Sequence, residues 1–192
     1  MLRILISTII FLMIFSQSIN SNMTQTVWVP PAPTIQPTIY KEEAKKTISI
    51  VDPVDLDCMS KNIYFEAAVE STAGKIAVGQ VVLNRMSSVK FPNTVCGVIT
   101  QGKHYKNGFP IRNRCQFSWY CDGKHDVPFK GKLWKKSVEV ARFLLKDREH
   151  VDITDGATFY HADYIPDPRW AKNVRKTVKI DRHIFYSSSK DI

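Results

Sequence analysis

The sequence predicts an α+β domain with a mainly helical core and a small antiparallel sheet or hairpin. Three observations carry this. Residues 56–86 read as two helices, the second apolar nearly all round through Ile76, Ala77, Val78, Val81, Val82 and Leu83. Residues 133–146 read as a further long helix, with Leu133, Trp134, Val138, Ala141, Leu144 and Leu145 on its inner side. Strand-like segments at 157–161, 177–180 and 183–186 come after the helices instead of alternating with them, which is the α+β pattern.

The front of the chain is read separately. Met1-Leu2-Arg3 precedes an apolar run from Ile4 to Phe15, and Ser16-Gln17-Ser18 places small residues where a signal peptidase reads them. This predicts a signal peptide over 1–18, or an N-terminal membrane anchor; the run is short for a span of about 20 residues. Residues 19–53 carry Pro30, Pro31, Pro33, Pro37 and Pro53 among Thr and Ser, as an extended linker does. The folded domain is then 54–192, long enough for one core.

Along that domain, Asp55 is positioned to cap a helix over 56–70, and Ser71 or Thr72 starts the next, to Met86. Gly79 inside it permits close approach of another element. Asn84-Arg85 gives that apolar helix a polar end. Thr94 starts a short helix through Gln101. Residues 102–114 read as a loop, 116–119 as extended, and Asp122-Gly123 as a turn. After the long helix, 157–161 is a strand, 165–170 a loop, and the last two strands, separated by Asp181-Arg182, form a hairpin.

With a 44% apolar fraction, 8 Gly and 10 Pro, the chain is neither disordered nor fibrous. Its formal charge is +9, and removing 1–18 deletes only Arg3. The basic residues are spread from Lys103 to Arg182 and no nucleic-acid motif organises them, so the charge is read as attraction to an anionic envelope surface. Four cysteines behind a signal peptide read as disulfides. Cys115 and Cys121 close a small loop, which favours that pair; Cys58 and Cys96 remain, tying the first helix to the segment after 91–94. A zinc site from Cys115, Cys121 and His125 is the rival, at a spacing that fits no common structural zinc pattern.

The chemistry is sought first at Glu66 and Glu70. A helix over 56–70 puts them on one face, and Tyr64, Phe65 and Ala67 would partly desolvate Glu66. Desolvation raises a carboxyl pKa, which suits a general acid; a solvated glutamate pair on an exposed face is the bland alternative.

The blocks 63–70, Gly74…Ala77-Val78…Val81…Asn84-Arg85, 91–99, 115–119, 157–162, Trp170-Ala171 and 183–186 stand in an order that resembles the SleB-type cell wall hydrolases, the spore-cortex-lytic enzymes and their relatives. The resemblance runs from about Asp57 to Tyr186. The family pattern carries Arg-Gly where this chain has Ala68-Val69, so the orientation of Glu70 is left unspecified. The resemblance implies a lysozyme-like, transglycosylase-like α+β fold acting on peptidoglycan glycan strands. It implies one catalytic glutamate, Glu66, working as a lytic transglycosylase without metal or other cofactor. Glu70 then supports it or is structural. Gln116, Ser118 and Tyr160 are candidates to hydrogen-bond sugar groups, Trp119 and Trp170 to stack on a ring, and His161 to orient substrate or support Glu66. His183 is read as structural. The expected protein is exported, periplasmic or at the wall, and monomeric. Two other classes stay open: a wall peptidase or amidase with Cys115 as nucleophile and His161 as base, and a noncatalytic wall-binding module.

Overall fold

The computed structural model describes residues 51–147 and 150–188. The predicted signal peptide and all but the end of the linker lie outside the described residues. Helix α1 spans Pro53–Ala67, three residues earlier at both ends than the sequence suggests. The cap is Asp52, not Asp55: its carboxylate accepts from Val54 N at 2.7 Å, and Pro53 occupies the first turn with its φ already set. The earlier end matters, because Glu70 lies beyond the helix and is not one turn above Glu66 on the same face.

Helix α2 spans Thr72–Ser87 behind the Ser71 cap, which accepts from Gly74 N at 3.2 Å. It is buried on nearly every side, with Ala77, Val78, Val81 and Val82 inaccessible. Helix α3 is Val95–Ile99, capped by Thr94 through Gly97 N at 3.1 Å, and α4 is Lys132–Asp147. A Cβ on Gly79 would lie 2.3 Å from Leu144 Cδ1, so only glycine lets α2 approach α4 this closely. Together with Phe117 the four helices enclose the main core, centred on Met59, Ile63, Val82, Val98 and Leu144. Leu133, assigned to the inner side of α4, is 45% exposed; the buried stripe is Ser137, Val140, Ala141, Leu144 and Leu145.

Two segments depart from expectation. Residues 102–114 are not a loop: β1 (Gly102–His104) pairs antiparallel with β2 (Pro110–Cys115), Gly102 opposite Cys115. Residues 116–119 are not extended throughout, because Ser118–Cys121 closes a 3₁₀ turn. A second 3₁₀ turn at Arg169–Asn173 follows the 165–168 loop. The C-terminal strands behave as predicted. β3 (Phe159–Ala162), β4 (Arg175–Ile180) and β5 (His183–Ser187) form an antiparallel sheet in the order β3-β5-β4. Its core is Phe185 and Ala157 against Ala77 and Val81 of α2.

Helix α2 therefore serves both lobes, and its few polar residues face the sheet side. Gln80 Nε2 donates to Val151 O at 2.8 Å and its Oε1 accepts from Ile153 N at 3.0 Å. Asn84 Nδ2 donates to Asp152 Oδ2 at 2.9 Å and to Ala157 O at 3.0 Å. These bonds fix the backbone that leads into β3.

The disulfides are Cys58–Cys96, joining α1 to α3, and Cys115–Cys121, joining β2 to the 3₁₀ turn. Their sequence separations are 38 and 6. The longer loop restricts the unfolded chain more, and it crosses the main core. Replacing Cys58 and Cys96 by Ser is expected to lower the unfolding free energy by about 2–4 kcal/mol, and replacing Cys115 and Cys121 to cost clearly less. Urea melts of the two double variants check the order.

Candidate active site

Glu66 sits in the last turn of α1, half-buried, where the helical lobe meets the sheet. Its Oε2 accepts from Tyr160 Oη at 3.0 Å, a bond from α1 to β3. Burial raises the Glu66 pKa above its ordinary value; the Tyr160 hydroxyl and the positive charge of Arg85 pull it part of the way back. The same burial, with the neighbouring carboxyl, pushes the Tyr160 phenol well above its usual range, so Tyr160 stays a donor.

Arg85, at the end of α2, is the cation in question. It is 5% exposed, and its Nε donates to Thr158 O at 2.7 Å. The guanidinium carbon lies 5.3, 5.1 and 5.8 Å from the ring centres of Phe91, Phe117 and Phe159. Burial lowers its pKa, while Tyr160 and Glu66 act in the opposite direction. Its Nη1 has no hydrogen-bond partner among the described residues.

One strip of α1 builds the adjoining wall. Phe65 stacks on Trp119 with centroids 4.8 Å apart, and Trp119 Nε1 donates to Asn62 Oδ1 at 3.1 Å. Asn62, Phe65 and Glu66 share a helical face at i, i+3 and i+4. A cleft of about 760 Å³ opens in front, lined by Glu66, Arg85, Gln116, Ser118, Trp119 and Tyr160, with Asp122, Lys124 and Asp126 on a further wall. A second recess of about 240 Å³ is lined by Tyr64, Glu70 and Arg182 and shares Phe65, Glu66, Tyr164 and His183 with the first. Glu66 thus faces both.

The other predicted residues fall into two groups. Gln116, Ser118, Trp119 and Tyr160 all line the cleft. Trp170 is not among its lining residues; it packs edge-on against Tyr186 at 5.4 Å, and its ring is tilted by 34° against Phe159 at 5.6 Å. His161 lines the floor but its nitrogens are engaged away from Glu66. Nδ1 donates to Ala162 O and Nε2 accepts from Tyr186 Oη, both at 2.9 Å. Glu70 Oε1 accepts from Nε and Nη2 of Arg182 at 3.1 Å each, so its carboxylate clamps the β4–β5 turn. Cys115 is bonded to Cys121 and is not a free nucleophile, and the same bond ties up both sulfurs of the zinc reading.

Arg85 is a site residue that sequence reasoning does not assign, although Asn84-Arg85 stands out as the polar end of an apolar helix. An arginine near the end of a largely apolar helix is the available signal. His183, read from sequence as structural only, also reaches the site. Its ring meets Tyr160 edge-on at 5.2 Å, lines both recesses, and has its pKa lowered by burial.

A groove with aromatic and polar walls and, facing two recesses, a carboxyl whose pKa burial raises can hold an extended ligand beside a proton donor. The chain belongs to the cell wall hydrolase family, whose sequence model matches residues 69–186; Glu66 lies just before that match. It is 41% identical over 132 residues to a spore cortex-lytic enzyme of Oceanobacillus iheyensis and 28% identical over 132 residues to one of Bacillus cereus. Each match covers 68% of this chain, which spans 41% and 43% of those relatives' lengths. Among solved structures it resembles the catalytic domain of Bacillus cereus SleB, with a TM-score of 0.54 and 27% identity over 72% of this chain and 94% of that one. The catalytic domain of the germination-specific lytic transglycosylase SleB from Bacillus anthracis gives 0.53 and 28%, over 71% and 96%.

Glu66 binds its proton more tightly in the folded chain than in the unfolded one, where the value is near 4.5. Its contribution to stability is therefore complete at low pH and is lost as pH rises from the unfolded value through the folded one. Glu66→Gln is expected to unfold at a higher temperature than wild type at pH 7, with the difference shrinking at pH 4. Thermal melts at the two pH values check this; an equal difference at both would mean that Glu66 has no raised pKa.

Proposed function

We infer that this chain cleaves the glycan of peptidoglycan between N-acetylmuramic acid and N-acetylglucosamine, as a lytic transglycosylase with Glu66 as its one acid and base. The observation that carries the reading is the environment of Glu66: a carboxyl whose pKa burial raises, facing two recesses that share lining residues, with the nearest carboxylate in sequence, Glu70, bonded to Arg182. A strand lying through both recesses has sugars on either side of Glu66. Trp119 offers a ring face, and Gln116 and Ser118 offer exposed polar groups for hydroxyls and acetamides. The relatives named for cortex lysis and lytic transglycosylation support the choice of substrate and reaction.

Protonated Glu66 donates to the glycosidic oxygen, and the bond from that oxygen to the muramic C1 breaks. The resulting carboxylate takes the proton of the muramic 6-hydroxyl, whose oxygen bonds to C1 and closes a 1,6-anhydro ring. Glu66 ends protonated again and no water is consumed. Between the two steps its negative charge is held by the Tyr160 hydroxyl and by the fixed charge of Arg85. Desolvation favours the acid form, and these two groups support the base form, so one residue serves both steps.

The setting is proposed on the same footing. Residues 1–18 direct export or anchor the chain, and 19–53 space a monomeric domain from the membrane or the export site. No helix among the described residues is long and apolar enough to cross a membrane.

Mass spectrometry of soluble products from purified peptidoglycan tests the reaction. Wild type is expected to release anhydromuramic ends, and Glu66→Gln to lose activity by roughly 10²–10⁴-fold. Reducing ends would instead mean a water-using glycosidase. Tyr160→Phe removes a donor that favours the charged form of Glu66. The alkaline limb of its kcat/KM profile is expected to move to higher pH, with a roughly ten-fold lower rate, the worth of one hydrogen bond to a charged group. A lower rate on an unmoved profile would place Tyr160 outside the acid–base step.

A further inference from the structure

Residues 101–121 contain Lys103, Lys106, Arg112 and Arg114 and no aspartate or glutamate. They include the β1–β2 hairpin, which buries almost nothing. Residues 102–109 are exposed without a break, and no residue from Gly102 to Cys115 belongs to either hydrophobic core. The hairpin's existence is therefore not explained by what it adds to the core.

Two aromatic residues flank its polar turn, Lys106-Asn107-Gly108. Tyr105 and Phe109 are 57% and 69% exposed. They face each other across the turn, Tyr105 N donating to Phe109 O at 2.9 Å, and Gly108 at φ 85° closes it. Lys103 on β1, Lys106 in the turn and Arg114 on β2 make no ion pair among the described residues. Arg112 is fixed at the base, its Nε donating to Asp122 O at 3.1 Å.

The element is also stiff. Cys115–Cys121 staples its base, and Gln116 N donates to Gln101 O at 2.9 Å. A Cβ on Gly102 would lie 2.9 Å from Cys115 Cα, so only glycine allows the strands to close there. A preorganised hairpin with two exposed aromatic rings flanking its turn and three unpaired cations along it has the chemistry of a water–lipid interface. Amphipathic rings settle at headgroup level while lysine and arginine reach phosphates.

We propose that the β1–β2 hairpin docks the domain on an anionic lipid bilayer, with Tyr105 and Phe109 entering the headgroup layer and Lys103, Lys106 and Arg114 meeting lipid phosphates. A soluble anionic polymer would satisfy the cations but gives the exposed Phe109 ring nothing to enter, and this decides for the bilayer. The staple joins the hairpin directly to the 3₁₀ turn bearing Ser118 and Trp119, so docking holds the cleft at a fixed height above the surface.

The test uses the full chain with Asn107→Cys at the tip, labelled with an environment-sensitive fluorophore, which reports the hairpin whatever the N-terminal segment does. Vesicles containing phosphatidylglycerol are expected to shift the emission to the blue; pure phosphatidylcholine vesicles are not. Adding Lys103→Ser, Lys106→Ser and Arg114→Ser is expected to weaken the response about 100-fold, roughly five-fold for each cation near an anionic surface. Phe109→Ser is expected to weaken it about ten-fold, in line with the loss of one buried aromatic ring. An unchanged emission with phosphatidylglycerol vesicles overturns the proposal, as does a response independent of the three cations. A response to soluble polyphosphate but not to vesicles overturns it too and assigns the hairpin to a polymer.

Discussion

The site depends on one buried cation. Arg85 leaves the end of α2 to donate to the backbone just before β3, and three phenylalanines from three separate segments surround its guanidinium. Burying a charge this completely is costly unless something compensates. Here the compensation is a carbonyl, three ring faces, and the partial negative charge of the Glu66–Tyr160 pair. The cation thereby couples the helical lobe to the sheet at the point where Glu66 and Tyr160 meet. Asn84 and Gln80, on the same side of α2, fix the preceding loop, so Tyr160 reaches Glu66 from a backbone held at several points. The 3.0 Å bond between them follows from helix packing, not from a flexible contact.

The same arrangement sets two opposing demands on Glu66. Desolvation favours the neutral acid, whereas Arg85 and Tyr160 favour the anion. If either effect acted alone, the residue would be fixed in one state and could serve only half of an acid-then-base cycle. Their balance leaves the proton tightly held but transferable. It also makes the site a source of instability at neutral pH, since a carboxyl with a raised pKa opposes folding once the solution would ionise it. The core packed against α1 and α2, with the Cys58–Cys96 link, holds the helix that carries Glu66.

The helices and the C-terminal sheet are legible in the sequence because their signals are local. Ser71 and Thr94 cap where caps are expected, and 175–187 pairs as a hairpin should. The start of α1 is ambiguous in sequence because two aspartates compete, and Pro53 decides in favour of Asp52. The consequence is larger than three residues, since it carries Glu70 off the helix and into the hands of Arg182, more than a hundred positions away. The β1–β2 hairpin is hidden for the opposite reason: both of its faces are solvated, so it has no apolar alternation to read. Glu66, Trp119, Gln116, Ser118 and Tyr160 can be gathered from motifs. Arg85 and His183 cannot be placed that way, because their burial is produced by rings that only the fold brings together.

The position of Glu70 bears on the chemistry itself. A glycosidase that uses water needs a second carboxylate across the sugar from its acid. With α1 ending at Ala67, Glu70 turns toward the β4–β5 turn and is held there by two nitrogens of the Arg182 guanidinium. The other carboxylates at the cleft belong to the loop after the 3₁₀ turn. Asp122 is drawn into that loop, accepting from Lys124 N at 2.8 Å, and the loop's own contacts lower its pKa. Asp126 is half-buried, and desolvation, with the neighbouring Asp122, raises its pKa. Both line the cleft with Glu66, whose own pKa is shifted by burial, Tyr160 and Arg85. With Glu70 withdrawn, the reaction proposed for Glu66 uses a nucleophile carried by the substrate. In the proposed reaction the muramic 6-hydroxyl is that nucleophile, and the carboxylate that has just lost its proton to the leaving oxygen is the base that receives the hydroxyl proton.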